Sequence, residues 1–464
     1  MKRLAENLRR FYDGKYYPLF AALLILLGHV LGLELPIGAL ILACLIPACL
    51  VCNDFRFGVV PFMCLTFIVS AKDYTPSDTG YEERFFTLPA LIALGCMAAM
   101  LIGSLVWFGI RNRKNRNPMP KSPMFWSLVI LCGALFINGL FSKHYTPSNM
   151  LYVVIMALTL VLVYILFALY FRFDRSSMDY LMYCLVIAGM LIVLELVVAY
   201  FTHVQFENGE IVKGSVVLGW GVWTNIGGML SFLMPACFYF AASHKRGWIG
   251  YLLGLLEYLG IVLSQSRGAL LIGSVVLLAC LITLCVKGKN RRQNRIFTLA
   301  LCVLGVLGVA VLWKKLFGLV ENFAEMGLED NGRFEKWEIG WKNFLKYPIF
   351  GSGFYDSYVD PAWDMPLFPY LYHNTVIQLL GASGLVGFLA YAYHRFITVR
   401  QVIRKPSLFK TFLGFSIMGL LLFSMTDVLL FKIYPTIIYS IMLLFMDKSD
   451  AIAQTEFISS EVSL

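Results

Sequence analysis

Apolar runs of about 17–25 residues recur along almost the whole chain, the length a helix needs to cross ~30 Å of hydrocarbon. They fall near 17–33, 36–52, 57–71, 86–110, 124–142, 150–171, 180–201, 225–243, 248–263, 268–286, 296–313, 373–394, 411–427 and 430–446. Inside a bilayer every backbone N–H and C=O must find a partner within the protein, which leaves only helices or a closed barrel. Runs this long and continuous, without period-two alternation, select helices. Charged residues are 14% of the chain, against roughly 25% in a soluble domain. The expectation is an all-α, polytopic membrane protein of about 12–14 spans. It forms one integral membrane domain over 1–464, with one large loop at 314–372 and a short polar tail at 447–464.

Basic residues set the orientation, because Lys- and Arg-rich loops resist translocation. With the N-terminal MKRLAENLRR inside, strict alternation puts Arg111, Arg113, Lys114 and Arg116 inside. The same side receives Lys245 and Arg246, Lys287 through Arg295, and Arg395 through Lys410. Most of the 38 Lys and Arg residues then face the cytoplasm, both termini are cytoplasmic, and Lys314–Tyr372 faces outward. The formal net charge of +10 is thus a cytoplasmic-face feature that calls for no nucleic acid. The first apolar run passes into Glu34-Leu-Pro and another span with no small-residue cleavage site, so no cleavable signal is expected. The 11 cysteines sit in or at the ends of spans and read as packing residues, not as a disulfide or metal framework.

Ionisable residues inside spans are costly and are functional candidates for that reason. Glu195 and Glu257 are two, both in the outer halves of their helices under this topology. Arg267 lies at the outward turn between two closely linked spans. It could staple that turn by pairing with a carboxylate or lipid headgroup, or hold an anion, since guanidinium binds phosphate in a bidentate fork.

The long loop is the chain's one extended polar segment. Within it Phe334, Trp337, Trp341, Phe344 and Leu345 recur at three- and four-residue spacing over Arg333–Lys346. Glu335, Lys336, Glu338, Lys342 and Lys346 fall largely opposite, so the spacing predicts an amphipathic helix lying at the membrane surface. Asp330 or Asn331 can cap it and Pro348 ends it. Arg333 falls in its first turn, where free N–H groups favour an anion; an ordinary lid helix explains the same pattern. Gly351-Ser-Gly353 permits a sharp turn or a close backbone approach. The following stretch is rich in Tyr, Trp and Phe with Asp356, Asp360 and Asp364, which suits sugar rings and equally a loop resting on a bilayer. His373 opens the next span. By position it is a capping residue, but it shares the outer face with Arg267 and Arg333, and a neutral imidazole can take a proton near neutral pH.

Three pieces together resemble a known family: SQSRGALL at 264–271, GRFEKWEIGWKNFLKYPIFGSGF at 332–354, and HNTVIQLLGASGLVGF at 373–388. They resemble, in order, the S-R-G-A turn, the G-R…W…P…G-x-G loop stretch and the H-N…G-x-x-G helix start of the O-antigen ligase and O-antigen polymerase superfamily. TNIGGMLSFLMP at 224–235 is similar to that family's Asn-containing span. Ser383 stands where the family often has an acidic residue, so no role is assigned there.

The resemblance implies an inverting, metal-independent glycosyltransferase of surface-polysaccharide assembly, with no cofactor, working on the outer face of the cytoplasmic membrane. Its donor would be a polyprenyl-diphosphate-linked glycan and its acceptor a glycan or lipid-linked molecule; a flippase and a chain-length regulator are the partners it implies. Carried over residue by residue, Arg267 and Arg333 hold the diphosphate and His373 is the base, with Trp337, Trp341, Asn374 and Glu257 as further substrate-binding candidates. The competing classes are a transporter of a small anion such as bicarbonate and a non-catalytic component of a polymer-assembly complex. Transporters favour broken helices paired between two halves, and the polar residues here gather at the outer face instead.

Overall fold

The computed structural model describes residues 2–61, 63, 88–144, 147–207, 209–218, 221–325, 332–354 and 370–462. The chain is an all-α polytopic membrane protein. Helices overlie each apolar run except 57–71, which lies mostly outside the described residues. In chain order they are α1 (Lys2–Tyr12), α2 (Tyr16–Leu31), α3 (Glu34–Ala43), α4 (Leu45–Val51), α5 (Leu88–Arg111), α6 (Pro123–Phe141), α7 (Pro147–Tyr170) and α8 (Arg175–Thr202). There follow α9 (Trp223–Leu233), α10 (Pro235–Ser243), α11 (Gly247–Leu263), α12 (Arg267–Val286), α13 (Arg291–Glu325), α14 (Arg333–Lys346), α15 (Thr375–Ile403), α16 (Leu408–Phe423) and α17 (Ile433–Val462).

Among the described residues six helices are long and apolar enough to cross a membrane, or up to seven if the bent α1–α2 pair is one span. Four shorter apolar helices of 10–17 residues accompany them. The figure is lower than the expected 12–14 because several runs are trimmed. The run at 36–52 gives an apolar helix only over Pro36–Val51, and α11 and α16 close after 17 and 16 residues. The last helix continues to Val462, through the segment read as a polar tail from Asp447. The long loop is also partly helical, since α13 runs on to Glu325.

The core sits around α9 and α10, whose combined apolar window is 89% buried. Lipid offers no hydrophobic drive for helix association, so close packing must come from small residues. A Cβ at Gly227 would strike Ala269 and Ser264, and one at Gly228 would strike Phe423 and Leu429. Those two glycines let α12 and α16 press directly on α9. Pro235 ends α9, since a proline inside a helix removes an i→i−4 bond and clashes with the preceding turn; it becomes the first residue of α10. Two short antiparallel hairpins, β1–β2 (Phe206–Glu207 with Glu210–Ile211) and β3–β4 (Val217–Leu218 with Gly221–Val222), precede α9. They share one end of the bundle with the starts of α9, α12, α15 and α17 and the ends of α11 and α16.

α15 is broken inside. Gly384 takes φ 62° and ψ −162°, which opens the helix between two turns. The segment after α14 fills that opening. Ser352 N donates to Gly381 O and Gly353 N to Ala382 O, while Leu385 N donates to Pro348 O and Val386 N to Ile349 O, at 2.8–3.2 Å. The backbone groups freed by the break are thus satisfied by loop backbone, as a non-helical segment at such a site requires. The close approach expected of Gly351-Ser-Gly353 is this one: Gly351, at φ 75°, lies so near that a Cβ would meet the backbone of Ala382 and Ser383.

Candidate active site

The segment His373-Asn374-Thr375 is anchored before its side chains can act. Thr375 N and Oγ1 both donate to Ser424 O, at 2.9 and 2.8 Å. Asn374 Nδ2 donates to Met425 O at 3.0 Å, and its Oδ1 caps α15 by accepting from Val376 N and Ile377 N. Both ends of the Asn374 amide are therefore used inside the protein, and the residue is 8% exposed. This fastens the start of α15 to the Ser424–Val428 turn between α16 and α17. His373, one residue earlier, sits at φ 53°, a conformation that costs a non-glycine residue about 1 kcal/mol or more and persists only where its surroundings impose it.

That conformation aims the imidazole at Asp427. His373 Nδ1 lies 3.2 Å from Asp427 Oδ1, with the His side chain 30% exposed and the Asp side chain 5% exposed. Burial alone would raise the Asp427 carboxyl, but the Lys432 charge and the His373 hydrogen bond, with a further one from Thr224, hold it below the usual carboxylate range. A carboxylate only accepts, so Nδ1 carries the proton that faces it, and in the neutral form of the ring the lone pair is then on Nε2. Lys432 in turn donates from Nζ to Asn225 Oδ1 at 2.6 Å, which brings the T-N-I-G-G start of α9 into the same cluster.

The other motifs border this centre. A Cβ at Gly268 would stand 3.1 Å from Thr426 Oγ1, so the S-R-G-A turn abuts the turn that carries Asp427. Ser266 caps α12 there by accepting from Ala269 N, and Arg267 is the first helical residue, with an exposed side chain. Gln265, at φ 58°, is a second strained residue within these motifs.

From the opposite side comes α14, whose limits coincide with the sequence expectation. Gly332 precedes it at φ 73° and Tyr347 closes it; Asp330 and Asn331 lie outside the described residues. Gly340 lets α14 lie against α15, since a Cβ there would strike Ile377, and Asn343 Nδ2 donates to the Tyr372 hydroxyl at 2.9 Å. Lys336, one turn before Gly340, places Nζ 3.3 Å from His373 Nε2. The docked face of α14 is thus Lys336, Gly340 and Asn343, while Phe334, Trp341 and Leu345 are 53%, 46% and 63% exposed. Three of the five stripe residues thus point away from the protein, as an interfacial helix requires, while Trp337 and Phe344 are half-buried. Lys336, which the spacing put among the solvated residues, points in. Arg333 is half-buried at the N-terminus of the same helix. Trp337 is half-buried, and its indole N–H has no acceptor among the described residues.

Glu257 lies elsewhere. It is fully buried in α11 against Gly189 and accepts a hydrogen bond from Cys237 Sγ at 3.0 Å, away from the His373 contacts. Asp356, Asp360, Asp364 and the aromatic stretch around them lie outside the described residues.

A family model described as O-antigen ligase matches residues 249–392. The chain carries an O-antigen ligase domain. No curated protein matches the chain. The O-antigen ligase domain spans Arg267, Arg333, Lys336 and His373, whereas Asn225, Asp427 and Lys432 lie outside the matched residues. Sequence reasoning missed Asp427, Lys432 and Lys336 as site residues. A signal for the first two was present: an acid at the end of the apolar run 411–427 and a base just inside the start of the run 430–446.

Proposed function

We propose that this chain transfers a glycan from a lipid diphosphate to an acceptor hydroxyl, in ligation or in polymerisation, as one step of surface-polysaccharide assembly. The observation that carries this reading is the His373–Asp427 contact at the meeting point of the O-antigen ligase motifs. A diphosphate-linked donor is already activated, so the enzyme needs a base for the acceptor and fixed positive charge for the leaving group. Asp427 would hold the Nδ1 proton, present Nε2 to the acceptor and stabilise the imidazolium that forms, as the acid does in a His–Asp pair. Arg267 and Arg333, each in the first turn of a helix, would bind the two phosphates through guanidinium forks and free N–H groups. The indole N–H of Trp337, which has no acceptor among the described residues, offers a further donor to phosphate or sugar oxygen. Attack by the acceptor on the face opposite the diphosphate would invert the anomeric centre. This end of the bundle would face outward from the cytoplasmic membrane, in line with the distribution of basic residues.

The test compares donor binding with turnover in purified His373→Ala. Loss of the base should slow transfer by about 10²–10⁴-fold and leave binding of the lipid-linked donor nearly intact. Unchanged turnover would reject the assignment, and a parallel loss of binding would make His373 a structural or ligand residue.

A further inference from the structure

The helix that carries Arg333 also carries the group that occupies the candidate base. His373 Nδ1 faces Asp427 at 3.2 Å and Nε2 faces Lys336 Nζ at 3.3 Å. An ammonium has donors only, so its contact with Nε2 uses the lone pair that an acceptor hydroxyl would need. The ring itself cannot easily turn away. It is fixed by the Asp427 contact, by the imposed backbone conformation of His373, and by the hooks from Asn374 and Thr375 to the Ser424–Met425 carbonyls. The partner able to move is the lysine, a point charge on a flexible four-carbon stem.

We propose that Lys336 is a positioning residue that masks the base until a donor diphosphate draws its ammonium away, so that the base becomes competent only when donor is present. This rests on the glycosyltransferase reading above. Arg333 stands one turn before Lys336 on the same face of α14, so an anion received at Arg333 lies within reach of both cations. Phosphate oxygens carry full charge and outbid a neutral imidazole for an ammonium. With Nε2 released, the acceptor O–H proton passes to Nε2 as the acceptor oxygen bonds to the anomeric carbon. The carbon–oxygen bond to the diphosphate breaks, and the lipid diphosphate departs with the electron pair, next to Arg267, Arg333 and Lys336.

The test reads Nε2 directly and needs no transfer. Full-length protein in lipid nanodiscs is treated with diethylpyrocarbonate near neutral pH, and carbethoxylation of the His373 peptide is followed by mass spectrometry, with inorganic pyrophosphate as the probe. Lys336→Gln should react about tenfold faster than wild type, the scale of losing one charge-assisted hydrogen bond. Pyrophosphate should accelerate wild type and leave Lys336→Gln unchanged, and Lys336→Arg should stay as slow as wild type. In a transfer assay Lys336→Gln should raise the donor KM more than it lowers kcat. Equal labelling of wild type and Lys336→Gln would overturn the inference, as would pyrophosphate that slows both alike or Lys336→Arg that labels as fast as Lys336→Gln. If labelling fails while transfer still depends on His373, only the masking role falls; if transfer is indifferent to His373→Ala, the enzymatic reading falls.

Discussion

His373 and Asp427 are 54 residues apart in the chain and meet because three hydrogen bonds, from Thr375 N, Thr375 Oγ1 and Asn374 Nδ2 to the Ser424 and Met425 carbonyls, draw the start of α15 onto the turn after α16. The Asp427 carboxylate is buried, and it faces the ring nitrogen remote from Lys336. In the proposed mechanism this contact would set the tautomer of the base from behind.

Asp427→Asn keeps the shape of the side chain and loses the charge that fixes the tautomer. Transfer should fall by about 10²–10⁴-fold, as for the loss of a positioned acid–base group, with donor affinity nearly unchanged; comparable loss of both would make Asp427 a scaffold residue. The pair also sets a pH dependence. The folded-state value of Asp427 is depressed, so its stability contribution is present above the unfolded value of ~4. That contribution is lost as pH falls through the lower, folded value. Acid unfolding of Asp427→Asn, followed by intrinsic fluorescence, should accordingly be less steep below about pH 4 than that of wild type.

The two arginines should be sensitive to geometry as well as charge. Arg267→Ala and Arg333→Ala are expected to abolish polymer assembly in a complementation assay at normal expression. Arg→Lys should restore only part of it, since an ammonium cannot reproduce a bidentate fork on phosphate. Full complementation by either alanine variant would remove that arginine from the site.

What the sequence made legible follows from how local each signal is. Apolar runs report a property of each helix alone, so the spans could be placed; so could α14, whose end is marked by Pro348 and whose periodicity is carried within fourteen residues. The interfacial placement of α14 follows from its apolar stripe, but which residues of its other side dock on the protein was not legible. The spacing of Phe334, Trp341 and Leu345 reads as a buried stripe in a soluble protein, but at a membrane surface the apolar side has a second solvent. That leaves Gly340 and Asn343 to make the protein contact and carries Lys336 inward. The break at Gly384 was equally hidden, because a break inside a helix is tolerated only where other backbone, here that of a distant loop, satisfies the freed groups. Arg267, Arg333 and His373 stood out through motif resemblance, whereas the acid and base at Asp427 and Lys432 were visible only as charges, because their partners His373 and Asn225 are 54 and 207 residues away.

The Gly351 contact should be the least tolerant point of the loop. Gly351→Ala combines a left-handed φ of 75° with a Cβ driven into the Ala382–Ser383 backbone, whereas Gly332→Ala meets nothing within 4 Å and bears only the cost of its φ of 73°. Gly332→Ala should lower stability by about 1 kcal/mol, and Gly351→Ala by clearly more, about 2–4 kcal/mol. Thermal unfolding in detergent checks the order. Equal shifts would mean that the loop can lift from the broken helix without penalty.

Lys432 should matter through Asp427 and Asn225 together. Its Nζ donates to Asn225 Oδ1 at 2.6 Å, and its charge is the main counterweight to burying Asp427. Removing a donor beside a buried carboxylate leaves desolvation uncompensated, so Lys432→Met should destabilise by about 1–3 kcal/mol. Asn225→Ala removes the acceptor and keeps the charge, so its effect should be smaller, about 1 kcal/mol. The double variant should cost less than the two singles added, because once Lys432 is gone Asn225 has lost its partner. Strict additivity in thermal or denaturant unfolding would show that the two residues stabilise the turn independently, and that the start of α9 is no part of the support behind His373.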